Sequence, residues 1–309
     1  CISGLSITSF LLAILSWRLV EKPFRKNIDG FISRQMMFLL ATISIVAILI
    51  IAYLTHKNEG FKYRFNIAES VYETMDTPAR KSECFDKKNP HIQDDWLCNL
   101  GVDNSVLSLF VFGDSHAYNF LPAIDDALSE LNLHGVFISS PGCLPLLTVY
   151  TLLKDGQENY CFELNKRVFN FVKHSGIQNV FLASRWTYYT DGGYEGDDFA
   201  FTSLEKNSDR SKSISRKAFK VGLEQTIERY KDIGVDLTII NQVPQQKLHP
   251  ISIYISQSVL KNLSLKNLSV TLGEHNILQN YVNSLFFESG VKLLDFTNII
   301  CNENNCPIG

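Results

Sequence analysis

The residues Gly113-Asp114-Ser115-His116 are the part of this sequence best suited to covalent chemistry. They follow an apolar run, residues 106–112, whose Val and Phe content predicts a buried strand. A serine on a tight turn between a strand and a helix lies where open α/β sheets place their ligands. We expect the turn to expose the Ser115 Oγ and the helix N-terminus to supply N–H groups for an oxyanion. A turn that only caps the helix is the alternative, since Asp and Ser are common caps.

This stretch resembles block I of the SGNH (GDSL-like) hydrolase and acyltransferase superfamily, and His116 matches the subgroup fused to membrane acyltransferase-3 domains. The resemblance implies that Ser115 is the nucleophile and that its N–H is one oxyanion donor. Gly142 resembles the block II glycine, whose N–H would be the second donor, although a simple Pro-Gly turn is the alternative. Block III departs from the usual Gly-x-Asn-Asp, because Arg185 stands there. Arg185 would either add positive charge near the oxyanion or hold a structural carboxylate.

The general base of the family is a His in an Asp-x-x-His motif after the last strand, and no such motif follows Asp295. We expect the catalytic His and Asp to lie beyond Gly309, so that this piece alone is inactive. His116 is not expected to serve as the base, since its ring would not come within about 2.6–3.2 Å of the Ser115 Oγ. Asp114 is expected to have a structural role. The remaining histidines considered are expected at the surface or in the core: His91, His134, His174, His249 and His275.

Two apolar segments, residues 2–16 and 36–54, predict transmembrane helices. The first ends in WRLVEKPFRK, which resembles the end of the last helix of an acyltransferase-3 domain; an interfacial anchor is the alternative. A buried soluble helix is the alternative for the second. The loop between them is basic, so the positive-inside rule places it in the cytoplasm. We therefore expect a multi-pass protein of the bacterial inner membrane, periplasmic after about Leu54.

Seven cysteines are present, and all but Cys1 follow the membrane segments. Sequence alone leaves the connectivity of the six open, and a zinc site competes with disulfides. Disulfides are favoured and would indicate an oxidising compartment, because no paired C-x-x-C and no clustered His occur. The simplest pairing joins neighbours: Cys84–Cys98, Cys143–Cys161 and Cys301–Cys306. No metal is expected, and a net charge of −3 gives no indication of a nucleic-acid partner.

From residue 105 the predicted strands and helices alternate, which is typical of a parallel sheet flanked by helices. The expected fold is α/β, a three-layer flavodoxin-like SGNH domain with about five parallel strands, preceded by two transmembrane helices. The predicted divisions are 1–26 (end of the acyltransferase-3 domain), 27–54 (cytoplasmic loop and second helix), 55–104 (periplasmic linker or extension) and 105–309 (SGNH domain).

The resemblance implies an O-acyltransferase, with acetyl the expected acyl group, that modifies envelope polysaccharide such as lipopolysaccharide O-antigen or peptidoglycan. The expected partners are the inner membrane, the polysaccharide acceptor and an N-terminal acyltransferase-3 domain. That membrane domain would use acetyl-CoA as donor, and no cofactor is expected on this piece. A membrane-anchored carbohydrate esterase and a non-catalytic glycan-binding module are the alternatives.

Overall fold

The computed structural model describes residues 9–10, 13–18, 34–61, 84, 94–103, 105–152, 158–194, 196, 198–249, 252 and 268–307. The chain divides into two compact units, Cys1–Asn66 and Ile67–Gly309. The first unit contains helix α1 (Arg34–Lys57).

Within α1, Phe38–Lys57 is the one described helical segment that is long and apolar enough to cross a membrane. Its large apolar side chains are exposed, as they would be on a helix that faces lipid. The hydroxyls of Thr42, Ser44 and Thr55 each donate to the carbonyl four residues earlier, which satisfies them within the helix. This helix is consistent with a membrane anchor and coincides with the second predicted span. The first predicted span, residues 2–16, lies largely outside the described residues.

The second unit is built from strands and helices that alternate along the chain. Its described strands are β1 (Cys98–Gly101), β2 (Leu107–Gly113), β3 (His134–Ser139), β4 (Tyr150–Thr151), β5 (Asn179–Ala183), β6 (Thr202–Ser203), β7 (Asp236–Ile240), β8 (Val270–Thr271), β9 (Lys292–Leu294) and β10 (Asn305–Cys306). Its described helices are α2 (Leu121–Glu130), α3 (Glu158–Ser175), α4 (Lys212–Asp232), α5 (Leu272–Ser289), α6 (Thr297–Ile300) and the 3₁₀ helices Ala117–Phe120 and Trp186–Tyr189.

Six strands form the central sheet in the order β1-β3-β2-β5-β7-β9. All neighbours pair in parallel except β1, which is antiparallel to β3. The chain leaves β2 towards one edge of the sheet and β5 towards the other, so the strand order reverses between these two central strands. Ligands bind in open α/β sheets at the carboxyl ends of the strands beside such a switch point. The five parallel strands and the SGNH-like α/β fold predicted from the sequence are confirmed.

The sheet is the middle layer of three. One face packs against α3, α4 and α5, whose buried side chains join Phe110, Phe112, Val180 and Leu182 in the larger core. The other face packs against α2 through a smaller core that includes Val111, Leu121 and Leu128. Strands β2 and β5 are therefore buried on both faces, which explains why they are continuous apolar runs in the sequence.

The structure differs from the sequence prediction at β1 and at the end of α2. Strand β1 was not predicted, because its four residues, Cys98–Gly101, interrupt a polar region and give no periodic pattern. The apolar spacing after Ser115 predicts Leu131 on the inner face of the helix, but its side chain is 68% exposed, because α2 ends at Glu130 and the chain turns away.

Three disulfides join the cysteines that are neighbours in sequence. Cys84 bonds Cys98, Cys143 bonds Cys161, and Cys301 bonds Cys306. The first attaches Cys84 to β1, the second attaches the segment after β3 to α3, and the third closes the loop between α6 and β10. Each bond thus fixes irregular backbone to a neighbouring element, and all three are expected in an oxidising compartment.

Candidate active site

The turn after β2 begins with a glycine for a steric reason. A Cβ atom at Gly113 would lie 1.7 Å from the carbonyl oxygen of Ala183 and 2.7 Å from the Cβ of Ala117. No side chain fits in that space, because β2 and β5 approach each other closely there. The glycine therefore lets the chain turn sharply at the carboxyl end of β2, which brings Asp114 and Ser115 to the edge of the sheet.

Asp114 is the centre of a buried network. Asp114 is only 2% exposed. Its Oδ1 accepts a hydrogen bond from the backbone N–H of His116 at 2.8 Å. Oδ2 accepts from the Ser184 hydroxyl at 2.6 Å, the Arg185 backbone N–H at 3.0 Å and the Tyr189 hydroxyl at 3.0 Å. We call these groups the Asp114 network. It joins the turn after β2 to the segment after β5, which agrees with the structural role expected for Asp114.

Ser115 is half-buried and lines a cavity of about 180 Å³ at this edge of the sheet. Its Oγ makes no hydrogen bond with any residue that the structure describes. The sequence predicted an α-helix directly after Ser115, and this detail is wrong. The short 3₁₀ helix Ala117–Phe120 comes first, and α2 begins at Leu121 with a proline in its first turn. The N–H groups near the Ser115 Oγ thus belong to a turn, and not to the N-terminus of a long helix.

Gly142 borders the same cavity from the neighbouring strand. After β3, the Cys143 N–H donates to the Ser140 carbonyl at 3.0 Å, and Gly142 has φ of +70°. With Pro141 in the second position, this is the pattern of a type II turn, whose third residue favours glycine. The Ser140 N–H donates to the Gly113 carbonyl at 3.0 Å, which holds the two turns side by side. The Gly142 N–H has no acceptor among the described residues, so it is free to bind a ligand.

Arg185 holds a carboxylate, which is one of the two roles that the sequence left open. Its Nε donates to Gln245 at 2.8 Å, and Nη1 forms an ion pair with Asp198, whose side chain is 57% exposed. The guanidinium also lies 5.0 Å from the centre of the Tyr188 ring. Nη2 is buried without a hydrogen-bond partner, and Arg185 lines the Ser115 cavity. A carboxylate and an amide thus position the side chain and leave one donor unused, which a developing oxyanion could accept from.

His116 also lines the cavity, and its Nδ1 is buried without a partner. Burial lowers the pKa of the imidazole below its ordinary value, the Asp114 carboxylate opposes this shift, and Arg185 adds to it. The ring is therefore neutral at neutral pH. No hydrogen bond joins it to the Ser115 Oγ, so the structure gives no pairing of a nucleophile with a base. His91 lies outside the described residues, and His275 is buried beside Thr297.

Several site residues were not predicted from the sequence. Tyr188 and Asp198 line the Ser115 cavity, and Ser184 and Tyr189 complete the Asp114 network. Aromatic faces at the end of a strand suit sugar stacking, but Trp186 and Tyr189 are fully buried and cannot stack on a sugar. Tyr188 and Tyr189 belong to a short 3₁₀ helix, and Ser184 and Asp198 lie in irregular backbone, so no periodic pattern marks them in the sequence.

Within the described part of the chain, no group of three or more His, Cys, Asp or Glu side chains could hold a metal ion. The cavity around Ser115 is smaller than the roughly 300–1,000 Å³ typical of ligand pockets. It therefore suits a small group on Ser115. Its donors are the amides of Ser115 and Gly142 and the guanidinium of Arg185.

Comparison with known proteins gives a family match. The family model described as "SGNH domain (fused to AT3 domains)" matches residues 83–309. A search of curated proteins found no match.

Two solved structures illustrate the structural similarity. The periplasmic domain of the lipopolysaccharide acetyltransferase from Salmonella ser. Paratyphi A is 17% identical, with a TM-score of 0.48 over 67% of this chain and 74% of that chain. A GDSL-like lipase from Bacteroides thetaiotaomicron VPI-5482 is 9% identical, with a TM-score of 0.33 over 65% of this chain and 80% of that chain.

Proposed function

Because this chain belongs to the family of SGNH domains fused to AT3 domains, we propose that Ser115 accepts an acyl group and passes it to a hydroxyl of a cell-envelope polysaccharide. The acyl group is acetyl in this proposal, and it originates from acetyl-CoA at an AT3 domain of the same protein. Lipopolysaccharide O-antigen and peptidoglycan are the candidate acceptors.

The observation that carries the proposal is the position of Ser115. Its hydroxyl makes no hydrogen bond with the described residues and lies in a cavity bordered by Gly142 and Arg185. In an acyl transfer, the Oγ attacks the acyl carbonyl carbon, and the carbonyl oxygen becomes an oxyanion. The N–H groups of Ser115 and Gly142 and the free Nη2 of Arg185 would stabilise that charge. They need little reorganisation, because the Asp114 network and the turn after β3 already hold them.

The proposed reaction has two steps, which divide a difficult transfer into easier ones. In the first step a bond forms between Ser115 Oγ and the acyl carbon, the bond to the donor breaks, and the serine proton passes to the donor's leaving group. In the second step an acceptor hydroxyl attacks the ester, and its proton returns to Ser115 Oγ. The general base for both transfers is proposed to come from an Asp-x-x-His motif beyond Gly309, since His116 has no contact with the Oγ.

The apolar helix Phe38–Lys57 supports a location at the membrane. The three disulfides support an oxidising compartment for the second unit. We therefore propose that the SGNH domain acts in the periplasm of a bacterium, anchored in the inner membrane. A polysaccharide acceptor would be accessible there.

The test is replacement of Ser115 in the full-length protein, expressed in a bacterial strain that lacks its own copy. We expect S115A to abolish ester-linked acetyl groups on the envelope polysaccharide, measured by NMR of the purified material, because the covalent intermediate cannot form. S284A is the matched control, since Ser284 is an exposed serine on α5.

Retention of acetylation in S115A would contradict the proposal and favour a non-catalytic glycan-binding module. Release of acetate by the wild-type protein, with no acetylated acceptor detected, would instead favour a carbohydrate esterase. Intact-protein mass spectrometry after incubation with 4-nitrophenyl acetate provides a direct measurement of the acyl-enzyme.

A further inference from the structure

A second, larger cavity lies next to the Ser115 cavity. Its volume is about 530 Å³, which is within the roughly 300–1,000 Å³ of typical ligand pockets. It contains none of the residues Gly113–His116. Asp198 lines both cavities, so the two share a wall. A ligand of moderate size would therefore fit beside Ser115 and not directly over it.

The wall between the cavities consists of side chains joined by an ion pair and a hydrogen bond. Arg185 pairs with Asp198, and its Nε donates to Gln245, which also lines the larger cavity. Arg185 thus contacts residues of the larger cavity while it also lines the smaller one. A group that enters the larger cavity reaches Ser115 past this wall, so binding there would place a ligand next to the nucleophile.

The larger cavity has mixed chemistry. Its lining includes amides, such as that of Gln245, and the ion pair between Lys247 and Glu274. It also includes apolar side chains, such as that of Ile277, which is 78% exposed. Sugars combine hydroxyl groups around a ring with apolar C–H faces, and both kinds of wall are present here. A purely apolar ligand would leave the amides and charges unpaired at a cost.

The charges of the cavity argue against an anionic ligand. Among its described lining residues, two carboxylates, Asp198 and Glu274, stand against one ammonium, Lys247. Hydrogen bonds from Lys247 and then from Thr271 hold the pKa of Glu274 at about 2, so this carboxylate is ionised at neutral pH. Asp198 is paired with Arg185 and Glu274 with Lys247, so a phosphate or a nucleotide would find no free cation among these described residues. An uncharged, hydroxyl-rich ligand would not be repelled.

Tyr194 provides an unused donor in this cavity. Its hydroxyl oxygen is buried and has no hydrogen-bond partner. Burial raises the pKa of the phenol well above its ordinary value, so the hydroxyl keeps its proton and can donate. An unsatisfied buried hydroxyl costs free energy, which a ligand acceptor would recover. Because Tyr194 lines the cavity, a small shift of its side chain would bring this hydroxyl to a ligand oxygen.

We propose that the larger cavity is the acceptor subsite, which binds one uncharged pyranose unit of the polysaccharide and directs its hydroxyl to the acylated Ser115. This inference rests on the proposed function, and it adds the place and the chemical class of the acceptor. The acceptor oxygen forms a bond to the acyl carbon, the bond from that carbon to Ser115 Oγ breaks, and the hydroxyl proton ends on Oγ.

The test uses full-length protein in membrane vesicles and a panel of methyl pyranosides: the α-glucoside, α-galactoside, α-mannoside and α-rhamnoside. Binding is measured by saturation-transfer NMR in the S115A background, where no turnover occurs. I277R places a long cation in the cavity without disturbing the core, because Ile277 is exposed. F287R is its matched control on the same helix, since Phe287 is 88% exposed and does not line the cavity.

We expect at least one pyranoside to bind to S115A, and I277R to weaken that binding by about tenfold or more through steric exclusion. F287R should leave it unchanged. Y194F should weaken it by about three- to tenfold, the loss expected for one hydrogen bond. CoA is included as an anionic probe and should not compete with the pyranoside.

Acylation is measured separately, as the Ser115-dependent burst of 4-nitrophenol from 4-nitrophenyl acetate. If the burst is absent but I277R still removes pyranoside binding, the proposed function fails and the subsite stands. If the burst is present but no pyranoside binds, the acceptor subsite is overturned. Equal binding by I277R and F287R, or displacement of the pyranoside by CoA, would also overturn it.

Discussion

Two groups of polar side chains in the SGNH domain differ in how their hydrogen bonds are satisfied. In the Asp114 network, the carboxylate oxygens accept four hydrogen bonds, from both sides of the switch point. On α5, three residues spaced four apart share one face of the helix: His275, Gln279 and Asn283. We call them the α5 polar row. Each has at least one buried polar atom without a partner, and Gln279 has two, although its side chain is fully buried.

The Asp114 network is preorganised by its hydrogen bonds, whereas the α5 polar row is only buried. A satisfied buried network is rigid, and the loss of one member leaves the others unpaired in a medium of low polarity. An unsatisfied buried amide already costs free energy, so its removal should cost little. The Asp114 network surrounds the proposed nucleophile, where fixed geometry matters most for oxyanion stabilisation. The α5 polar row lines neither the Ser115 cavity nor the larger one among the described residues.

The largest expected effect is that of D114A. It would leave two hydroxyls and two backbone N–H groups without their acceptor, so we expect the free energy of unfolding to fall by about 4 kcal/mol. Urea unfolding in detergent, followed by tryptophan fluorescence, measures this loss. D209A, at an exposed aspartate, should change stability by less than about 0.5 kcal/mol. An equally small effect of D114A would mean that the network is not the stabilising centre of the site.

The two disulfides nearest these regions provide the second test. Cys143–Cys161 spans 18 residues and follows Gly142, while Cys301–Cys306 spans 5 residues near the start of α5. Because longer loops lose more entropy when closed, replacement of both cysteines by alanine should cost about 3 kcal/mol for the first pair and about 2 kcal/mol for the second. The same urea experiment measures both losses.

The acylation burst sharpens this second test. Removal of Cys143–Cys161 should slow the burst, because the turn that presents the Gly142 N–H loses an anchor. Removal of Cys301–Cys306 should not slow it. Equal bursts for the two double variants would show that the disulfide beside Gly142 has no part in positioning the amide.

A pair of glutamines compares the two regions directly. Gln242 is buried near the Asp114 network, and its side chain makes hydrogen bonds with the Thr187 N–H and hydroxyl. Gln279 is equally buried, and its side chain has no hydrogen bond to any residue in the described part of the chain. We expect Q242M to lower the free energy of unfolding by about 2 kcal/mol, and Q279M to leave it unchanged or raise it by up to about 1 kcal/mol. A large loss in Q279M would show that the α5 polar row has partners and that the two regions are alike.

The smallest expected effect is a change in pH dependence. Burial lowers the pKa of the His275 imidazole below its ordinary value of 6.5, and the nearby Asp295 carboxylate partly opposes this. The unfolded chain therefore binds the proton more readily, so stability should fall as the pH drops through about 6.5. H275L should flatten this slope in unfolding curves recorded between about pH 7.5 and 5.5. H174L, at an exposed histidine of α3, should keep the wild-type slope.

The sequence correctly predicted the strands that are short apolar runs. The sequence predicts strands over Asn179–Ala183 and Asp236–Ile240, which are the observed ranges of β5 and β7, because each is a short apolar run bounded by polar residues. Strand β1 escaped detection, since an edge strand of four residues is only partly buried and has no such run. The helix after Ser115 was placed too early, because the apolar spacing does not show that Pro122 delays α2.

The sequence by itself determined where a nucleophile could stand, because a strand, a glycine turn and a serine are consecutive residues whose geometry is local. Only the tertiary structure decided what surrounds that serine. Ser184 and Tyr189 reach Asp114 from 70 and 75 residues away, and Asp198 and Gln245 reach Arg185 from 13 and 60 residues away. Such partners are brought together by the packing of parallel strands and not by any short-range pattern. The second cavity, formed by residues from 193 to 278, arises from the same convergence.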